Sequence, residues 1–246
     1  MGVCHGVIHR FLPGATIIDT THVVEAYNVL QAAVILADAT PYLPIGVHVA
    51  IVDPEVGTDR RAVAITCENE NAYVGPDNGV LMLAANRDKV VSAFDLPVPK
   101  EAGLGATFAG RDVFAPVAAR LAAGVPPSQL GRSLDASALE ELSVPAPTAE
   151  AGGLRVVVLS SDSFGNLQLG CSRDELLAIG TSERVLVSTA HARRVARVAR
   201  TFADVGRGEL LVYEDSFQHL AVAVREGSAA ALLGASAGGI VSLDPL

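Results

Sequence analysis

Apolar positions in the first half of the chain follow two alternating patterns. Short runs at 16–19, 47–52, 62–66 and 72–74 have the length and β-branched content of strands, and the run at 47–52 ends on Asp53-Pro54. Nearly every position of 47–52 is apolar, so the pattern predicts a strand buried on both faces. The stretches 28–37, 79–85 and 113–123 instead read as helices. Strands alternating with helices predict an α/β unit built on a mostly parallel sheet. The pattern then breaks at 143–153, where two prolines and a Gly-Gly pair mark a linker. Beyond it, 154–159, 184–188, 209–213, 220–224 and 240–243 read as short strands separated by turns. The expected organisation is an α/β domain over 1–142, a linker over 143–153 and a smaller, mainly antiparallel β domain over 154–246.

Composition narrows the function classes. Half of the 246 residues are hydrophobic, which suits a packed chain rather than a disordered one. There is no tryptophan, so a purine site would have to stack on Phe or Tyr. A net charge of −9 argues against nucleic acid as a partner. The arginine cluster Arg193, Arg194, Arg197 and Arg200 reads as the solvated face of a strand or helix. Lysine occurs only at Lys89 and Lys100, which removes a Gly-Lys-Ser/Thr phosphate loop. Cys4, Cys67 and Cys171 are scattered, as suits a reducing compartment rather than a disulfide framework or a zinc ribbon. The chain opens on no signal-like pattern, and its longest apolar stretch, 229–243, is broken by Gly and Ser. A cytoplasmic protein with no membrane partner is expected.

Several motifs could carry chemistry. Gly234-Ala235-Ser236-Ala237-Gly238 has the spacing of a nucleophile elbow, but no histidine follows it, so it reads as a small-residue turn. His5 and His9 lie one helical turn apart with Cys4 beside them. Two histidines are too few for zinc, and no metal is expected. Pro76-Asp77-Asn78-Gly79 reads as a capped turn that presents polar groups at the end of the sheet. Gly110-Arg111-Asp112 reads as a helix start, with Asp112 favourably placed in the helix dipole. Asp162-Ser163-Phe164-Gly165-Asn166 is a turn whose Asp and Asn suit the ammonium and carboxylate of an amino acid. In Asp215-Ser216-Phe217, Phe217 is available to stack on a purine.

The most specific segment is Val52-Asp53-Pro54-Glu55-Val56-Gly57-Thr58-Asp59-Arg60-Arg61. A strand delivers Asp53 at its end, Gly57 turns the chain, and Arg60 begins the return into 62–66. Asp53 and Arg60 are thereby brought together. They form either an ion pair closing a turn or a charged pair that holds and polarises a water.

Taken in order, these segments resemble the family of S-adenosylmethionine-dependent fluorinases, chlorinases and hydroxide adenosyltransferases. The matching stretches are Gly14-Ala15-Thr16 through Asp19-Thr20-Thr21-His22, the segment 52–61, Val74-Gly75-Pro76-Asp77-Asn78-Gly79, the stretch 107–116, Phe164-Gly165-Asn166, Thr201-Phe202-Ala203-Asp204 and Asp215-Ser216-Phe217. The resemblance implies an N-terminal α/β domain, a C-terminal β-barrel-like domain, and a homotrimer with its sites at subunit interfaces. It implies nucleophilic attack on the ribose C5′ of S-adenosyl-L-methionine with methionine leaving, and no cofactor. In the halogenating branch a tyrosine stands where this chain has Asp53. Two anions ~4 Å apart repel by ~4 kcal/mol at intermediate dielectric, so a carboxylate favours water over halide. The implied reaction is hydrolysis to adenosine and L-methionine with Asp53 and Arg60 as the catalytic residues. Tyr27, Asp162, Asn166, Phe202, Ser216 and Phe217 fall on substrate-binding positions.

Two departures stand out. The hydroxide branch usually has a histidine where this chain has Ala109. The family also normally begins with a strand and a Thr-Asp-Phe-Gly motif, and this chain is expected to lack that strand. Both departures favour the alternative of a non-catalytic adenosine or S-adenosylmethionine binder. A halogenase is the other alternative.

Overall fold

The computed structural model describes residues 1–98, 107–181 and 183–246; Lys100 lies outside them. The described chain divides into two units, Met1–Leu142 and Ser143–Leu246, each with its own apolar core.

The first unit contains helices α1 (Gly2–Phe11), α2 (Val29–Ala39), α3 (Met82–Arg87) and α4 (Ala115–Ala122), the last preceded by a π-helical turn at Gly110–Phe114. Its five strands are β1 (Val47–Val49), β2 (Ala62–Cys67), β3 (Ala72–Pro76), β4 (Val90–Leu96) and β5 (Arg132–Leu134), in the order β1-β3-β2-β4-β5. β2 shows why this is a layered α/β fold. Val63 and Ile65 pack with Ala32, Leu81 and Ala85 of the α2–α3 side. Ala62 and Ala64 alternate to the other face and meet Phe114, Val117 and Ala118. Helices therefore cover both faces, and the central strands have no wet side.

The expected α/β class holds, but the sheet is mixed rather than mostly parallel. Only β1 and β3 pair in parallel; the β2–β3, β2–β4 and β4–β5 pairs are antiparallel. β3 and β4, joined through α3, do point the same way, as strand–helix–strand alternation predicts. β2 lies between them and runs opposite to both. The turn at 68–71 that joins β2 to β3 is far too short for a parallel crossover. Two strand expectations also change. The run 47–52 is an edge strand only three residues long and half-buried; it is β2 and β3 that are buried on both faces. The run 16–19 forms no strand, and its backbone is irregular.

Tyr73 locks the far end of β3. Its buried ring stacks on His48 at 5.1 Å, and its hydroxyl donates to Asp88 at 2.6 Å. Asn71 Nδ2 donates to the same carboxylate oxygen at 2.8 Å. Burial pushes the Asp88 carboxyl up, but donation from Tyr73, Asn71 and Asn69 outweighs it and leaves its pKa below the ordinary 3.8.

The second unit is a closed barrel. Its strands are β6 (Thr148–Glu150), β7 (Gly153–Ser161), β8 (Leu167–Leu169), β9 (Arg184–Ser188), β10 (Arg193–Val198), β11 (Leu210–Glu214), β12 (Leu220–Val224) and β13 (Ile240–Pro245). They run in the order β13-β9-β10-β11-β12-β8-β7, and β7 pairs back onto β13 to close the ring, with β6 added outside on β7. Closure leaves the ring itself no open edge for another chain to extend, and the short β6 lies outside it. Every pairing is antiparallel except β10–β11. The interior holds Val156, Val158, Leu167, Leu169, Val185, Val187, Val212, Leu220 and Val222. Short helices α5 (Arg173–Ala178), begun by a Ser172–Glu175 capping box, and α6 (Ala229–Leu233) flank it. Part of the stretch expected as a linker, 143–153, is the strand β6.

Tyr73→Phe is expected to lower stability by about 1–2 kcal/mol in urea unfolding at neutral pH, because one donor to a partly buried carboxylate is lost. The sign with pH follows from the depressed Asp88 pKa. Its contribution is present above pH 3.8 and fades as the pH falls through the lower folded value. The gap between wild type and variant should therefore narrow in strong acid.

Candidate active site

Just before β2, two adjacent arginines each clamp an aspartate, Asp53 from the irregular stretch after β1 and Asp77 from the turn after β3. Arg60 Nε donates to Asp53 Oδ1 at 3.1 Å, and Arg60 Nη2 pairs with Asp53 Oδ2. Arg60 Nη1 donates to the Arg61 carbonyl at 2.7 Å. Both side chains of the Asp53–Arg60 pair are only 6% exposed. Arg61 Nε donates to Asp77 Oδ2 at 2.7 Å, and Asp77 Oδ1 accepts from the Glu140 amide at 2.9 Å. A buried ion pair repays its desolvation only with good geometry and further hydrogen bonds, and this fork-to-fork arrangement supplies both.

The Pro76–Gly79 turn holds the stretch after β1 that carries Asp53. Asn78 Nδ2 donates to the Val52 carbonyl at 2.9 Å, while Asn78 Oδ1 accepts from the Val80 amide. Gly75 permits the close approach, because a Cβ there would lie 2.4 Å from the Ala50 carbonyl oxygen. The loop between Asp53 and Arg60 is bonded internally: the Thr58 hydroxyl donates to the Glu55 carbonyl and accepts from the Arg60 amide. The guanidinium of Arg60 lies 5.6 Å from the centroid of the fully buried Phe114 ring, in the π-helical turn. Ala109, just before that turn, is buried in the same apolar cluster as Phe114 and offers no acid–base group. Asp112 does not act merely as a helix-start charge: it forms a two-pronged pair with Arg111, whose guanidinium covers Phe108.

Tyr27, expected at a substrate position, immediately precedes the Asn28 cap of α2. It is 77% exposed and has a positive φ of 67°, a conformation that costs a bulky residue energy.

The remaining expected residues belong to the barrel. Asp162 is wrapped by its own turn: Oδ1 accepts from the Phe164 and Asn166 amides at 2.9 Å each, and Oδ2 from Asn166 Nδ2 at 2.8 Å. Asp215 does the same in the next turn, with Oδ1 accepting from the Phe217 and His219 amides and Oδ2 from Gln168 Nε2. Tyr213 ties the turns together. Burial and then the charges of Asp215 and Asp162 push its hydroxyl up to about 12, and its ring meets Phe202 at 5.1 Å. Asp162, Asn166, Phe202, Ser216 and Phe217 thus gather around one end of the barrel, with Phe202 and Phe217 some 40% and 43% exposed. Sequence reasoning named Asp77 and Asn78 only as part of a turn presenting polar groups at the sheet end, and did not single out Tyr213 or Gln168. Gln168 carries one visible signal, as a polar residue between the inward leucines Leu167 and Leu169.

A sheet covered by helices on both faces, ending in a buried Asp–Arg pair, and a closed barrel with an aromatic, carboxylate-bearing rim define a two-domain ligand-handling protein. The comparisons with known proteins agree on its family. Residues 1–131 match the SAM hydroxide adenosyltransferase N-terminal domain, and 156–242 match the C-terminal domain of the same name. A Salinispora tropica protein named (R)-S-adenosyl-L-methionine hydrolase is 45% identical, over 97% of this chain and 90% of that protein. A Thermus thermophilus protein of the same name is 41% identical, over 97% and 91%. The crystal structure of an uncharacterized conserved protein from Thermotoga maritima superposes with a TM-score of 0.88 at 35% identity, covering 99% of this chain and 94% of that one. This chain belongs to the SAM hydroxide adenosyltransferase family.

Arg60→Ala would leave the Asp53 carboxylate buried without its partner and is expected to cost about 3–5 kcal/mol. Asp53→Ala combined with Arg60→Ala should lose less than the sum of the single changes, because the two groups are coupled. Urea unfolding of the four proteins measures both.

Proposed function

We propose that this chain is an enzyme that hydrolyses S-adenosyl-L-methionine to adenosine and L-methionine. The observation that carries this reading is the buried two-pronged Asp53–Arg60 pair, in a chain 41–45% identical to proteins named (R)-S-adenosyl-L-methionine hydrolase. Water attacks the ribose C5′, the C5′–S bond breaks, and its electron pair leaves on the methionine sulfur. The cationic sulfonium sulfur departs as the neutral thioether of methionine, so no acid is needed on the leaving side, and catalysis rests on positioning and desolvating the nucleophile. The water's proton passes to a free lone pair of Asp53, since a carboxylate has about four acceptor sites and Arg60 occupies two. Arg60 stabilises hydroxide character as it develops.

The pairing also refines the preference for water. With Arg60 attached, the site is close to neutral, and its repulsion of a halide is weaker than that of a bare carboxylate. Water is preferred because it has a proton for Asp53 to accept and a halide has none. In this reading the methionine end is held by Asp162 and Asn166, prearranged by their turn, and the adenine by Phe202, Ser216 and Phe217. Tyr27 packs near the ribose or methionine portion. A homotrimeric assembly and a cytoplasmic location belong to the same proposal. Light scattering tests the first. No helix among the described residues is long and apolar enough to cross a membrane.

Incubation with S-adenosyl-L-methionine should yield equimolar adenosine and methionine, and in ¹⁸O-water the label should enter the adenosine 5′-hydroxyl. Asp53→Asn is expected to lower kcat by about 10²–10⁴ with a much smaller change in KM. Tight calorimetric binding without product would instead support the binder that buried Ala109 suggests. A 5′-halogenated nucleoside formed only with added halide would overturn the water reading.

A further inference from the structure

Three side chains that the proposed reaction leaves unused converge beside α1. His5, on the helix, and His22, on the irregular segment after it, aim Nε2 at one atom, Oδ1 of Asp19, at 3.0 and 2.8 Å. The candidate ligand atoms of His5, Asp19 and His22 all lie within 4.8 Å of one another. We propose that this trio binds a divalent transition-metal ion of the zinc class, pinning the 19–22 segment to α1.

The donor set selects the ion. Two imidazole nitrogens and one carboxylate oxygen suit zinc, cobalt, nickel and copper, whereas calcium and magnesium take oxygen donors. Metal–ligand bonds of ~2.0–2.2 Å in tetrahedral geometry separate neighbouring donors by ~3.3 Å. The observed 2.8 and 3.0 Å need to open by only a few tenths of an ångström. The side chains have room to do so, being 29% (His5), 40% (Asp19) and 49% (His22) exposed, and that exposure also gives an ion its way in. Without metal, each imidazole can donate an Nε2 proton to the shared oxygen. With metal, each neutral ring presents the Nε2 lone pair and carries its proton on Nδ1, so no proton need be gained or lost. The fourth position falls to water. His9, the partner that spacing along α1 suggests for His5, is not in the trio. Nor is Cys4, whose sulfur lies near Gly110.

The test uses the full chain, stripped with EDTA and dialysed, with no S-adenosylmethionine present, so it is independent of the proposed reaction. Zinc titrated in a calorimeter should bind one equivalent per chain and raise Tm. Cobalt should give the visible bands of a tetrahedral nitrogen–oxygen site. His5→Gln, His22→Gln and Asp19→Asn keep polar contacts but remove good ligands, and each should weaken zinc binding at least tenfold; His9→Gln should not. Circular dichroism of the metal-free variants checks folding. Absence of saturable binding, thiolate bands in the cobalt spectrum, or undiminished binding in the folded His5→Gln/His22→Gln protein would overturn the proposal.

Discussion

The Asp53 end of the first unit is organised by two neighbouring arginines just before β2. Adjacent residues on an extended chain point to opposite sides, so one Arg-Arg pair serves two carboxylates that arrive on different segments. Arg60 takes Asp53 from the end of the β1 run, and Arg61 takes Asp77 from the turn after β3. Asn78 then closes the circuit by holding the Val52 carbonyl. Asp53, on the irregular stretch after β1, is thereby anchored to the start of β2 and to the turn after β3, and in the proposed reaction this fixes it within the narrow tolerance that catalysis by positioning demands.

The same arrangement bears on the two readings that the Asp53–Arg60 segment first permits. An ion pair that only closed a turn could sit in solvent, where such pairs contribute little. This one is almost wholly withdrawn from water beside an aromatic ring, where it is costly unless every donor is matched. In the proposed reaction structural and chemical roles coincide: the contacts that stabilise the turn also leave lone pairs of Asp53 available in a sheltered place.

Much of this could be read from the chain, and the failures have physical causes. The strands β9 and β12 and the helix α2 were visible because short apolar runs and helical spacing of apolar residues are local signals. Pairing direction was not, because it depends on which strand inserts between which, and β2 between β3 and β4 leaves no local mark. β10 was legible only as the solvated face of a strand or helix, because Arg193, Arg194 and Arg197 are exposed and Ala196 is its one buried residue. Among site residues, the Asp53–Arg60 contact followed from a short loop between two strands. Tyr213 and Gln168 did not stand out, since their roles appear only when the barrel brings the turns at 162–166 and 215–218 to the same end. The His5–Asp19–His22 meeting joins positions up to seventeen residues apart across a segment with no regular structure, so spacing along α1 pointed to His9 instead.

The ring of seven barrel strands has a parity consequence. Each antiparallel step reverses direction, and a circuit must return to its starting sense, so an odd number of strands cannot close with antiparallel steps alone. One parallel step is obligatory, and it falls between β10 and β11. Consecutive strands that run the same way cannot be joined by a tight hairpin; the chain must travel back along the barrel between them. That return path is 199–209, and it carries Phe202. The arithmetic of closure therefore obliges the barrel to keep one long excursion, and an aromatic side chain of the proposed substrate site rides on it.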